Sequence, residues 1–227
     1  MKVLVVTGAG VSANAGIPTY RDGGSSWKDV ELERKSHASH YGMHLDELWD
    51  RHWGPVQKVM NSASPTHTHT AIAKFQQEHE VIVATQNIDH LHEDAGTDNV
   101  AHVHGSMIAK CMRCKKANVS RWIGNGAPVC NECGSFKTRP NVVLFGEQLN
   151  AKMMRGLQNW ASQCDHIISV GTSLNVFPAA GLVMDNIDKA IIINKEPTAF
   201  DKWARAVYHS DCDEVIDEVL GGLSEDL

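Results

Sequence analysis

The chain has 227 residues, of which 42% are hydrophobic and 21% charged. That balance excludes disordered and fibrous classes and supplies a sizeable core, as one domain or one domain with an inserted subdomain. The formal net charge of −6 argues against a nucleic-acid binder that works by bulk charge. One local exception is the basic cluster Lys110, Arg113, Lys115, Lys116 and Arg121.

The chain opens on a short apolar run at residues 3–6. This is shorter than the roughly 7–15 residues of a signal-peptide core. No later stretch approaches the ~18 apolar residues of a membrane span. The run predicts a buried strand that enters the turn Thr7-Gly8-Ala9-Gly10. Residues 22–63 are polar and His-rich at first, then helical over about 45–60. A helix follows over 64–78, with Ser64 as N-cap and Pro65 at its first position. Further continuous apolar runs at 81–85, 142–145, 167–170 and 190–194 predict strands buried on both faces of a parallel sheet. Helices are predicted between and after them at 151–164, 179–188 and 212–223, the last capped by Asp211. Strands alternating with helices imply an α/β fold with a doubly wound parallel sheet. Residues 22–63 and 106–140 interrupt the alternation as insertions.

The second insertion holds two pairs, Cys111-x-x-Cys114 and Cys130-x-x-Cys133. Their spacing is that of a four-cysteine zinc site, and with all four positions filled by protein the zinc is structural. Two disulfides or a redox pair are the competing readings. Zinc and the lack of an export signal favour a reducing, cytoplasmic compartment. The basic residues around the cysteines read as the solvated surface of the module, with direct nucleic-acid reading the alternative. Cys164 reads as a buried helix residue.

The stretch Gly8-Ala9-Gly10-Val11-Ser12-Ala13 follows a strand and opens a helix, the context in which a G-x-G turn admits a nucleotide phosphate. It departs from the dinucleotide fingerprint at Ala13, where a third glycine is expected. A plain glycine turn is the alternative.

Extended through Gly16-Ile17-Pro18-Thr19-Tyr20-Arg21, this segment resembles the signature of the sirtuin family. Further motifs follow in the family's order: Thr85-Gln86-Asn87-Ile88-Asp89 with Leu91-His92, Val103-His104-Gly105, and Val143-Leu144-Phe145-Gly146-Glu147. The series ends with Gly171-Thr172-Ser173-Leu174-Asn175-Val176-Phe177-Pro178-Ala179 and Ile193-Asn194-Lys195-Glu196-Pro197. The resemblance covers essentially the whole chain. It implies one catalytic domain, with a Rossmann-like large part (about 1–21, 64–105 and 141–227) and a small zinc-and-helix part (about 22–63 and 106–140).

It also implies a reaction in which NAD and an acyl-lysine protein give nicotinamide, free lysine and 2′-O-acyl-ADP-ribose. His104 would be the general base on a ribose hydroxyl, suited by a side chain that titrates near neutral pH. A lone histidine is otherwise structural. Asn87 and Asp89 would line the nicotinamide pocket, against the plainer reading of a cap or turn. Ile88 would lie nearby and Gln86 near the ribose, and Tyr20 and Arg21 would shield the ribose and meet phosphate. Gly171, Thr172 and Ser173 would contact phosphate and ribose, Asn194 and Glu196 the adenosine ribose, and Cys212 the adenine. The acyl-lysine peptide would lie between strand edges at Val143, Phe145, Gly146 and Glu147 and at Leu174, Asn175 and Val176. Phe145 would line the lysine tunnel or fill the core. The expected partners are acyl-lysine proteins or peptides, with no membrane, no nucleic acid and a monomeric chain.

Members that take acidic acyl groups carry Tyr-x-x-Arg after the mobile loop. The corresponding Leu48-Trp49-Asp50-Arg51-His52-Trp53 lacks it, so neutral acyl groups are expected. His37, His40, His44, His52, His67 and His69 read as a solvated, pH-sensitive stretch, with a second metal site at His37-x-x-His40 as the alternative. Two rival functions stay open. One is an NAD hydrolase or mono-ADP-ribosyltransferase using the same pocket; the other is a non-catalytic NAD or ADP-ribose sensor.

Overall fold

The computed structural model describes residues 1–18, 30–119 and 126–225. Tyr20, Arg21 and Arg121 lie outside the described residues. In chain order the strands are β1 (Lys2–Thr7), β2 (Glu80–Thr85), β3 (Val100–His102), β4 (Gly105–Cys111), β5 (Ala117–Val119), β6 (Thr138–Val142), β7 (His166–Val170), β8 (Ala190–Ile193) and β9 (Ala206–Tyr208). The helices are α1 (Gly10–Ala13), α2 (Val30–Lys35), α3 (Leu45–Leu48), α4 (Gly54–Ser62), α5 (His67–Phe75), α6 (Leu91–Asp94), α7 (Ala151–Gln163), α8 (Gly181–Met184) and α9 (Cys212–Glu225). They form two compact units, one of Met1–Ala15, Ser64–Val103 and Asn150–Leu227, the other of Gly16–Ala63 and His104–Leu149.

The first unit is built on a six-stranded sheet in the order β3-β2-β1-β7-β8-β9, parallel throughout. Numbered within the unit this is 3-2-1-4-5-6, the Rossmann order. The central strands alternate between two buried faces. Val3, Val5, Val81, Val83, Ile168 and Ile191 pack with Ile72 and Phe75 of α5 and with Ile216, Val219 and Leu220 of α9. On α7, Met154, Leu157 and Ala161 are buried, and Trp160 donates its indole N–H to the Val3 carbonyl at 3.3 Å. A sheet of such strands needs apolar side chains on both sides, which is why their sequences run apolar without a break.

Helix starts follow local hydrogen bonding. Asp211 caps α9 as expected, its Oδ1 accepting the Asp213 N–H at 3.0 Å. The expected cap of the preceding helix is corrected. Thr66, two residues past Ser64, closes a capping box with His69 and opens α5. The helix expected over 179–188 is the single α turn of α8 followed by a 3₁₀ turn at Ile187–Lys189.

The strand expected at 142–145 is also corrected. β6 ends at Val142 and belongs to a separate antiparallel sheet of order β5-β4-β6 in the second unit. Its residues alternate between buried and half-buried, as a strand with one covered face does. Gly105 sits at φ 78°, and a Cβ there would lie 2.0 Å from the Asn141 carbonyl, so β4 and β6 close on each other only through glycine. In the helical part of this unit α3, a π turn at Trp49–Trp53 and α4 run continuously. Trp49 is fully buried and donates to the Thr138 carbonyl at 2.8 Å.

Candidate functional site

In open α/β sheets ligands bind beyond the carboxyl ends of the strands, where the strand order reverses. Here that point lies between β1 and β7. Two backbone bonds tie their carboxyl ends together, Gly8 N–H to the Val170 carbonyl (3.0 Å) and Gly10 N–H to Gly171 (2.9 Å), and a third, Gly171 N–H to Ile193 (2.9 Å), ties the turn after β7 to the end of β8. The two glycine turns press backbone on backbone. A Cβ on Gly10 would meet the Gly171 Cα at 2.6 Å, and one on Gly8 would meet the Thr172 Cβ at 2.7 Å. The glycines are therefore demanded by packing before any ligand arrives. α1 has only four residues, so the helix dipole expected there is slight. What the turn offers is close backbone approach.

The loop after β2 carries the expected nicotinamide residues, and Ser12 joins them. Asn87 Nδ2 donates to the Gly8 carbonyl (3.0 Å) and to Ser12 Oγ (3.1 Å), and Ser12 Oγ donates to Asp89 Oδ2 at 3.0 Å. The other Asp89 oxygen accepts the Leu91 N–H at 3.1 Å. One oxygen thus does the capping work of the plainer reading, while its neighbour faces Ser12. Asp89 and Ser12 are both buried. Gln86 Nε2 reaches Thr172 Oγ1 at 3.0 Å, linking this loop to the one after β7.

Beneath this network lie two histidines whose burial the sequence reading missed. His69 and His92 are buried with ring centroids 4.6 Å apart, edge to face. His92 Nε2 meets Thr7 Oγ1 at 3.0 Å, and His69 Nδ1 accepts the Thr66 N–H at 3.2 Å. Burial drives both imidazoles toward the neutral form, His92 down to about 3 and His69 downward against the pull of Asp89. The solvated reading of the histidine-rich stretch is corrected here and at His52, which is also buried. The sequence signal for His69 was Thr66-x-x-His69, a capping-box spacing.

Further along the carboxyl ends, Asn194 Nδ2 donates to the Glu196 carbonyl at 2.6 Å. Cys212 Sγ lies 3.8 Å from the Gly10 carbonyl, at the start of α9. Ala13 and Ser173 are half-buried. Leu174 adopts φ 56° with its side chain buried, so it offers backbone alone. Asn175 and Val176 are exposed.

In the second unit His104 begins the segment into β4, and its carbonyl accepts the Val143 N–H at 2.8 Å. Phe145 is 48% exposed, which removes the core reading of that ring. Its carbonyl accepts the Ala38 N–H at 3.0 Å, and Gly146, at φ 86°, lies under the His37 ring. Both Glu147 carboxylate oxygens are engaged by Arg139 at 2.7 Å, and one also accepts the Leu144 N–H at 2.9 Å. The Arg139 guanidinium holds this carboxyl below the usual range. Glu147 thus braces the segment through Arg139 and the Leu144 N–H.

The four cysteines converge as expected. Cys111 and Cys133 Sγ atoms are 3.7 Å apart, Cys114 and Cys130 3.6 Å, and all four lie within 4.8 Å of one another. Zinc–sulfur bonds of about 2.3 Å in a tetrahedron require sulfurs about 3.8 Å apart, so the set fits zinc. A disulfide needs about 2.05 Å, and the cysteines are free thiols. The Cys114 N–H donates to Cys111 Sγ, burial opposes, and the Arg113 N–H adds a second bond, bringing that thiol down to about 6. A sulfur surrounded by N–H donors is prepared to be a thiolate ligand. Lys116 of the basic cluster pairs with Glu132 at 2.8 Å. At the alternative metal pair, His37 and His40 both bond Ser39 Oγ, at 2.8 and 3.0 Å, and they form no metal-type cluster among the described residues. Cys164 is buried, as expected, just past the end of α7.

Sheet order and glycine turns define the first unit as an α/β protein of the nucleotide-binding kind, and the second unit carries a four-cysteine zinc-type site. The chain matches the Sir2 family over residues 8–178 and belongs to it. It is 35% identical over 215 residues to an NAD-dependent protein deacylase of Ralstonia nicotianae, covering 92% of this chain and 86% of that one. An NAD-dependent protein deacetylase of Staphylococcus epidermidis is 32% identical over 98% of this chain and 93% of its own. Among solved structures, a Sir2 homologue–NAD complex superposes with TM-score 0.87 at 30% identity, covering 99% of this chain and 90% of that one. A mutant Sir2 homologue in complex with 2′-O-acetyl ADP ribose gives 0.87 at 30%, covering 100% and 93%.

Proposed function

We propose that this protein is an NAD-consuming protein-lysine deacylase, chiefly a deacetylase, which releases nicotinamide and 2′-O-acyl-ADP-ribose. The observation that carries this reading is the Gly8–Asn87–Ser12–Asp89 network at the switch point of the sheet, in a chain whose relatives are named for that activity. An amide and a carboxylate held together by one buried hydroxyl suit a carboxamide ligand. Gly8, Ala9, Gly10, Ser12 and Ala13, with Gly171, Thr172 and Ser173, take the phosphates and ribose. Gln86 lies near the ribose and Ile88 on the nicotinamide side, Asn194 and Glu196 hold the adenosine ribose, and Cys212 borders the adenine. Tyr20 and Arg21 complete the set. NAD supplies the electrophilic ribose carbon, and His104 takes the proton from a ribose hydroxyl. The peptide runs along Val143, Phe145, Gly146 and Glu147 and along Leu174, Asn175 and Val176 by main-chain hydrogen bonds, which gives loose sequence preference. The zinc is structural, and free thiols arranged for it favour a reducing, cytoplasmic compartment. Among the described residues no helix is long and apolar enough to cross a membrane.

Mass spectrometry of NAD incubated with the protein, with and without an acetyl-lysine peptide, tests this. Nicotinamide and O-acetyl-ADP-ribose are expected only with peptide, and are expected to vanish in His104→Ala. Plain ADP-ribose or an ADP-ribosylated protein formed without peptide would replace the reading with hydrolysis or ADP-ribosyl transfer. NAD binding with no NAD loss would leave a sensor.

A further inference from the structure

His102, the last residue of β3, lies two positions before His104 and in register with Thr85 of β2. Its Nδ1 is 3.0 Å from the backbone carbonyl of Asn87 and its Nε2 is 2.8 Å from Glu93 Oε1 on α6. A carbonyl and a carboxylate are both acceptors, so the ring satisfies both contacts only as an imidazolium with two N–H donors. Asn87 is then held at four points: its side-chain amide by Gly8 and Ser12, its backbone N–H by Thr85 Oγ1 and its carbonyl by His102.

We propose that His102 is a positioning residue: as an imidazolium bridged to Glu93, it fixes the backbone of Asn87 and with it the loop that presents Asn87 and Asp89 to NAD. The proposal rests on the NAD site described above. The groups that face the ring are consistent with the charge. Glu93 touches it, Asp89 lies close enough to add attraction, and His90 stands with its ring centroid 5.5 Å away. His92, the other titratable neighbour on α6, is held neutral by burial and adds no repulsion. Burial of His102 opposes the charge, and the hydrogen bonds to Glu93 and Asn87 outweigh it, placing the titration above the usual 6.5. Glu93 responds in kind: burial opposes its ionisation, the bond from His102 prevails, and its carboxyl is held low. Such a brace is intact below the folded-state pKa and is lost as pH rises through it.

The test pairs a direct readout with a kinetic one. Long-range ¹H–¹⁵N imidazole spectra of the whole protein, assigned by comparison with His102→Gln, are expected to show His102 doubly protonated at neutral pH. In Glu93→Gln its titration is expected to move to lower pH. The alkaline limb of kcat/KM for NAD, measured with a saturating acetyl-lysine peptide, is expected to move with it. His102→Gln is expected to lower kcat/KM for NAD about tenfold near neutrality, as the loss of a hydrogen bond to a charged group does, and to lack that limb. A singly protonated His102 at neutral pH overturns the proposal. So do wild-type and Glu93→Gln pH profiles that superimpose. Should the wild-type protein turn over no NAD at all, the deacylase reading falls by itself. The imidazole spectra and the pH dependence of NAD binding then decide the role of His102.

Discussion

Two histidines on one helix show what a residue's neighbours in sequence do and do not tell. His67 and His69 are two apart on α5, hence on different faces. His67 pairs with Asp217 near solvent, whereas His69 is fully buried against His92. The residues of the Asn87 loop were legible because their chemistry travels in an ordered motif. Burial of a histidine depends on what packs above it and leaves no such trace. That burial has a measurable consequence. His92 keeps a folded pKa of about 3 against 6.5 for the exposed ring, so the unfolded chain binds a proton that the native state refuses. Its contribution to stability is therefore present above pH 6.5 and is lost as pH falls. At about 1.4 kcal/mol per pH unit, urea unfolding at pH 5 is expected to give about 2 kcal/mol less stability than at pH 6.5 from His92 alone, with His69 adding in the same direction. His102 opposes them, since a raised pKa favours folding on acidification. Comparison with His92→Gln isolates the effect: the variant is expected to lose less stability than the wild type over that range. Equal losses would remove the argument.

Among the elements, the strongly buried strands β1, β2, β7 and β8 were read correctly because a strand covered on both faces leaves an unbroken apolar run. β3 and β9, three residues each, were missed for the same reason inverted: too short to leave a pattern. Residues 142–145 misled because an apolar tetrapeptide looks alike in any sheet. Only pairing distinguishes it, and pairing partners are remote in sequence. The cysteine spacing was the most legible signal of all, since four thiols on two tight turns have few other uses. β4 and β6 begin or end within a few residues of these cysteines, and Cys111 itself terminates β4. Metal binding at such sites is worth about 10–16 kcal/mol, comparable to the whole stability of a domain, about 5–15 kcal/mol. The purified protein is therefore expected to hold about one equivalent of zinc, released by a strong chelator with loss of the β4–β5–β6 sheet signal in hydrogen exchange. Cys130→Ser is expected to bind zinc weakly and to show the same loss. Protein that keeps full protection in this sheet after complete zinc removal would refute the structural role.

At the scale of the whole molecule, charge bears on which acyl groups are taken. The chain is net negative by six, and several cations of the second unit are already engaged. Lys35 pairs with Glu31 and Glu47, Arg51 with Glu47, and Arg139 with Glu147. The stretch where acid-preferring relatives place a tyrosine and an arginine presents Leu48, Trp49, His52 and Trp53 to the interior, and its one arginine, Arg51, turns outward to Glu47 at 2.9 Å. A succinyl carboxylate taken into the proposed acyl-lysine site with no cation to meet it would leave water without a partner, at a cost of several kcal/mol. Each 1.4 kcal/mol is a factor of ten. An acetyl-lysine peptide is therefore expected to exceed the matched succinyl peptide by about a hundredfold or more in kcat/KM. The difference is expected to appear in kcat/KM for the peptide. Side-by-side turnover of the two peptides at saturating NAD decides it, and equal or faster succinyl turnover would mean that a cation reaches the acyl group after all.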